Sequence, residues 1–129
     1  MSRELFATKT EWEPYVGYSR ALRVGDHVFV SGTVATNEDG ALVAPGDPYA
    51  QTIQVLENLK RALERAGSSL SHVVRTRMFV TDISQWREYG RAHGEYFRDI
   101  RPVTSMIEVK GLIDPSLMVE IEADALITT

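Results

Sequence analysis

The segment Val119-Glu120-Ile121-Glu122-Ala123 alternates apolar residues with carboxylates, the period of a β-strand that has one apolar and one acidic face. Glu120, Glu122 and Asp124 therefore share a face. A carboxylate so placed acts as a general base when it reaches a water molecule and a dry cleft raises its pKa. The competing role for Glu120 is an ion pair with Arg75 or Arg77, which alternation puts on the same face of the sheet. Upstream, Val103-Thr104-Ser105-Met106-Ile107-Glu108-Val109 is a second strand pattern, setting Thr104, Met106 and Glu108 against Ser105, Ile107 and Val109. Its two hydroxyls can contact a ligand, but a threonine cannot give the bidentate, charge-assisted grip that an arginine gives a carboxylate. His93, three residues after Gly90 and one before Gly94, can exchange a proton at neutral pH. Its plainer role is a helix histidine bonded to a neighbouring backbone group or water.

Much chemistry is excluded by composition. The 129 residues contain no cysteine, which removes disulfides, thiolate nucleophiles and thiolate metal sites together. His27 and His72 lie far from His93 in sequence, so no zinc-type ligand spacing exists and no metal is expected. No phosphate loop, dinucleotide fingerprint or serine nucleophile elbow occurs, and no cofactor is expected. A net charge of −4 offers no basic footprint for nucleic acid. Neither a signal peptide nor a membrane-spanning apolar run is present, so no membrane partner is expected and a cytoplasmic location is the default.

The elements that must position these residues follow from turn chemistry and periodicity. Residues 1–129 make one expected domain, of a length and composition ordinary for a globular protein. Ala21 to Gly32 reads as two strands joined at Gly25-Asp26. Asp47 and Pro48 open a helix as N-cap and first residue, and Gly67 closes it. Tyr49, Ile53, Leu56, Leu59, Leu63 and Ala66 form its apolar stripe. Val73 to Val80 is a β-branched strand that sets Val74, Thr76, Met78 and Val80 against Arg75, Arg77 and Phe79. Thr81-Asp82 then caps a helix from about Ser84 to Arg98, with Trp86, Tyr89, His93 and Phe97 on one side. Gly90 and Gly94, one turn apart, suggest that this helix approaches the sheet closely. Pro102 ends it, giving the order β-β-α-β-α-β-β.

Two helices cover one face of a sheet and leave the other to water or to another subunit. Alternation puts Met106 and Phe79 among charges on that second face, which favours burial against another copy with each charge finding a partner.

Five segments in order resemble the RidA/YjgF family of small imine deaminases, also called the L-PSP endoribonuclease family. They are Gly17-Tyr18-Ser19-Arg20-Ala21, His27 to Thr33, Glu57 to Gly67, Val73 to Asp82 and Gly94-Glu95-Tyr96-Phe97, and the Arg101 to Ala123 pattern completes the likeness. The resemblance implies a chorismate-mutase-like α+β sandwich with one mixed sheet. It further implies a homotrimer whose sheets form a closed central barrel, with a ligand cleft at each subunit interface. It implies cofactor-independent hydrolysis of a small imine, enamine or related reactive metabolite. Glu120 matches the glutamate that handles water, and Tyr18 matches a tyrosine that closes the pocket. Ser105 and the Gly32-Thr33 backbone are further polar contacts. The sequence departs from the family at three cleft positions. Thr104 stands in place of the carboxylate-binding arginine, Met106 where cysteine is common, and Gly90 in place of an asparagine. Arg20 and Arg77 are the nearby cations able to substitute. A noncatalytic trimer that binds a small metabolite is the alternative function, and an endoribonuclease is the third.

Overall fold

Gly25 makes the first hairpin possible. At φ 59 it takes a left-handed backbone that glycine tolerates, and β2 (Ala21–Val24) folds back on β3 (His27–Thr33) with Val24 opposite His27. In the computed structural model, which describes residues 2–128, both strands belong to a six-stranded sheet. β1 (Arg3–Phe6) and α1 (Trp12–Val16) precede them. α2 (Pro48–Arg65), β4 (Val73–Val80), α3 (Trp86–Phe97), β5 (Val103–Glu108) and β6 (Val119–Leu126) follow. The sheet order is β1-β2-β3-β6-β4-β5. Only β4 and β5 run parallel, because α3 carries the chain back across the sheet between them.

The anticipated α+β order is present, with β1 and α1 added at its start. Arg3-Glu4-Leu5-Phe6 shows no alternation of its own; it is a strand because it pairs with β2, Arg3 opposite Val24 and Phe6 opposite Ala21. α2 begins where Asp47 accepts the Ala50 N–H at 3.0 Å, and Gly67 at φ 83 leads the chain out. Val55, Leu56, Leu59, Ala62, Leu63 and Ala66 form its buried stripe, with Tyr49 and Ile53 half-buried at the margin. Gln51 is fully buried in the same helix. Its amide donates to the Val43 and Ser116 carbonyls and accepts the Met118 N–H, tying the chain entering β6 to α2.

The assignment of faces from the sequence fails at two strands. A register shift between Val73 and Arg75 turns Val73 into the core and leaves Val74 exposed, the reverse of the expectation for Val74. On β5 the pairs Thr76↔Thr104 and Met78↔Met106 put Thr104 and Met106 on the helix-covered face, since Thr76 and Met78 are buried there. Met106 packs against the core instead of standing with Phe79, and Ile107 is the residue paired with Phe79. Alternation separates two faces of a strand, but register with a neighbour decides which face meets the core. The close approach suggested by Gly90 and Gly94 does not occur. A Cβ at Gly90 would meet only Trp86 of its own helix, at 4.0 Å, and one at Gly94 the flexible Arg98 side chain at 3.2 Å.

The uncovered face carries Phe29, Phe79, Val103 and Ile107 between Arg75, Arg77, Glu120, Glu122 and Asp124. Phe29, Val103 and Ile107 are exposed, and Arg77 bridges Glu122 at 3.1 Å and Asp124 at 3.5 Å.

Candidate functional site

Glu120 is the second residue of β6, directly opposite Phe79, with its side chain on the uncovered face. It is half-buried. A second register shift, between Val30 and Thr33 of β3, brings Gly32 against it so closely that a Cβ at residue 32 would overlap the Glu120 carboxylate. Among the described residues none donates a hydrogen bond to Glu120, and the ion pair with Arg75 or Arg77 does not form: Arg77 is taken by Glu122 and Asp124. Burial raises the Glu120 pKa, the charge of Glu122 adds to the rise, and the charge of Arg20 opposes it. An unengaged carboxylate with a raised pKa has the character of a general base.

Arg20 is placed by the strand entry. Its guanidinium donates to the Gly32 carbonyl, and its Nε is buried without a partner among the described residues. Burial lowers its pKa, while the nearby Tyr18, Glu13 and Glu120 favour its charge. It remains a cation. Tyr18 follows α1 and lines a groove of about 740 Å³ with Phe29, Ser31, Glu122 and Asp124. Thr33 does not offer its hydroxyl to this region: it is buried and donates to Ser31 at 2.7 Å. Ser105 shares the uncovered face, paired with Arg77.

Glu13 is the residue that strand and helix periodicity miss. It is buried, and its carboxylate accepts the Thr8 N–H at 3.0 Å, the Thr8 hydroxyl, and the Thr10 hydroxyl at 2.8 Å. These bonds hold its pKa down against the opposing effect of burial, which is the largest single influence. The Thr10-x-x-Glu13 spacing, that of a capping box, is the signal that marks it.

A second group of expected site residues lies on the other face. Thr104 and Met106 lie on the helix-covered side of the edge strand β5, and Gly90 and His93 belong to α3, whose His93 reaches β4. His93 Nε2 is 2.9 Å from the Thr76 hydroxyl, which also bonds the Thr104 hydroxyl. Thr76 is fully buried and had no place among the expected residues. The His93 ring packs on Phe97 at 4.6 Å between centroids, and burial lowers the His93 pKa to about 4. It is neutral at pH 7. Within one chain the sheet separates this group from Glu120, Gly32 and Ser105, which face the other side, and β4 also stands between Thr104 on β5 and Glu120 on β6.

Among the described residues no group of His, Cys, Asp or Glu is arranged to hold a metal ion, and no helix is long and apolar enough to cross a membrane.

A mixed sheet with its long helices on one face and a half-buried carboxylate on the other defines an α+β protein of chorismate-mutase-like order. The chain belongs to the Endoribonuclease L-PSP family, the RidA/YjgF family, whose pattern matches residues 8–127. It is 32% identical to the 3-aminoacrylate deaminase RutC of Acinetobacter baylyi, over 97% of this chain and 98% of that protein. It is equally 32% identical to a RutC family protein of Pyrococcus abyssi, with the same coverage of 97% and 98%. The solved structure of Rv2704 from Mycobacterium tuberculosis, a member of the YjgF/YER057c/UK114 family, is 49% identical and superposes with a TM-score of 0.88. That match covers 98% of this chain and 100% of Rv2704.

Proposed function

We propose that this protein hydrolyses a small imine, enamine or related reactive metabolite without a cofactor, at a cleft between subunits of a homotrimer, with Glu120 as the catalytic base. The observation that carries this reading is the state of Glu120: half-buried, unbonded by any described residue, raised in pKa and pressed against Gly32. Glu120 takes a proton from water as the oxygen attacks the C=N carbon. The nitrogen gains a proton and the adduct collapses to a carbonyl as ammonia leaves. Arg20, fixed on the Gly32 carbonyl, lies near enough for its charge to oppose the rise that burial gives the Glu120 pKa. The deaminase name of the Acinetobacter relative supports the reaction class.

The subunit interface follows from the separation of the two groups. Glu120, Gly32, Tyr18 and Ser105 belong to the uncovered face and its border, whereas Thr104, Met106, Gly90 and His93 belong to the covered side of an edge strand. Two copies can bring one group opposite the other. The exposed Phe29, Val103 and Ile107 supply the apolar contact that such packing needs.

Thr104 favours one second reading, a trimer that binds a small metabolite without transforming it, because a hydroxyl cannot clamp a carboxylate substrate as a guanidinium does. Ribonuclease activity finds no support in a face that presents Glu120, Glu122 and Asp124. The test is ammonia release from 2-iminopropionate and longer imino acids, generated by an amino-acid oxidase, and from small imines that carry no carboxylate. Wild-type protein is expected to accelerate release, and Glu120→Ala to lose about 10²- to 10⁴-fold of that acceleration. Acceleration that survives in the variant, or no acceleration at all, contradicts the proposal.

A further inference from the structure

Thr104 has one proton to give, and the groups around it decide where that proton points. Its Oγ1 lies 3.1 Å from the Thr76 carbonyl oxygen and also within hydrogen-bond reach of Thr76 Oγ1. Thr76 Oγ1 in turn lies 2.9 Å from His93 Nε2. The chain of three side chains runs from the half-buried histidine through a fully buried hydroxyl to Thr104, which is exposed on the edge strand.

Both tautomers of neutral His93 lead to one arrangement at the exposed end. With Nε2 bare, the ring accepts from Thr76, and Thr104 gives its proton to Thr76 Oγ1. With Nε2 protonated, the ring donates to Thr76, Thr76 donates to Thr104, and Thr104 gives its proton to the Thr76 carbonyl. In each case the proton turns inward and a lone pair of Oγ1 turns outward.

The geometry points to Thr104 as a hydrogen-bond acceptor, set by Thr76 and His93, so that this half of the cleft takes a neutral N–H donor such as a carboxamide or ureido group rather than a carboxylate. This rests on the proposed function for one thing only, that the ligand lies beside Thr104. A carboxylate brings only lone pairs to a lone pair. It could bond Thr104 only after the inward bond to Thr76 is broken, whereas an amide N–H extends the chain as it stands.

Butanamide and butanoate match in size and differ in the group that would meet Thr104. Each is titrated by NMR into wild-type protein, Thr104→Val and Thr104→Ser. Thr104→Val keeps the charge and volume of the site and removes the acceptor. It is expected to weaken butanamide about fivefold, the worth of one net hydrogen bond, without weakening butanoate, while Thr104→Ser retains wild-type behaviour. Any other pattern overturns the inference, including equal loss for both ligands or no measurable butanamide binding in the wild type. A failed imine assay with the expected pattern intact sinks the catalytic reading alone, and the converse result sinks only the role of Thr104.

Discussion

At the residue scale, two titratable side chains are displaced in opposite senses from their ordinary pKa values, and burial is the first cause of each. Glu120 is raised and His93 is lowered, so burial makes the carboxylate more basic and leaves the imidazole uncharged at neutral pH. His93 has a direct consequence for stability. Its folded pKa of about 4 lies below its ordinary 6.5, so the unfolded chain binds the proton first. The stability that neutral His93 supports is complete above pH 6.5 and is lost as pH falls through about 4. Urea unfolding across that window should show a smaller acid loss in His93→Gln than in wild type, and parallel curves would contradict the assignment. Glu120 was legible in the sequence because strict alternation in β6 fixes its face. Thr76 was not, since a threonine in a β-branched strand carries no mark of the histidine and second threonine that bond it. Glu13 left a trace in its capping-box spacing, but its burial depends on the fold of the N-terminal segment.

At the scale of elements, caps and stripes were readable and register was not. Asp47, Pro48 and Gly67 mark the ends of α2 by local chemistry, and each performs the expected role. The faces of β5 and the start of β4 depend on pairing with β4 and β6, which no residue of either segment declares. Gln51 shows the same division: it falls outside the apolar stripe, yet it is buried and makes three hydrogen bonds. Gln51→Met keeps most of the volume and strands the Met118 N–H and two carbonyls. It should cost about 3 kcal/mol of unfolding free energy, readable by denaturant titration. Gly90 has the opposite outcome. It lies inside α3 with free space around a Cβ, so Gly90→Ala should raise stability by about 0.5–1 kcal/mol, and a loss would reveal a contact absent from the isolated chain.

At the scale of the whole molecule, one face of the sheet is sealed by α2 and α3, and the other mixes exposed aromatic and aliphatic residues with a partly paired set of charges. A solvated face does not require Phe29, Val103 and Ile107, and an interface gives them contacts. In the proposed assembly the same packing would bring Glu120 opposite Thr104, His93, Gly90 and Met106, which lie on the other face of the sheet within one chain. Assembly and chemistry are therefore one claim, and mixing two defective chains tests it most directly. Glu120→Gln removes the base from one half of the cleft, and Thr104→Trp blocks the other half; each homogeneous protein should lack imine hydrolysis. Unfolded together and refolded as a mixture, they should form some clefts that have both halves intact, and hydrolysis should return. A mixture no more active than its parents would contradict a cleft shared between subunits, as would sedimentation of the wild type as a 14.5 kDa monomer.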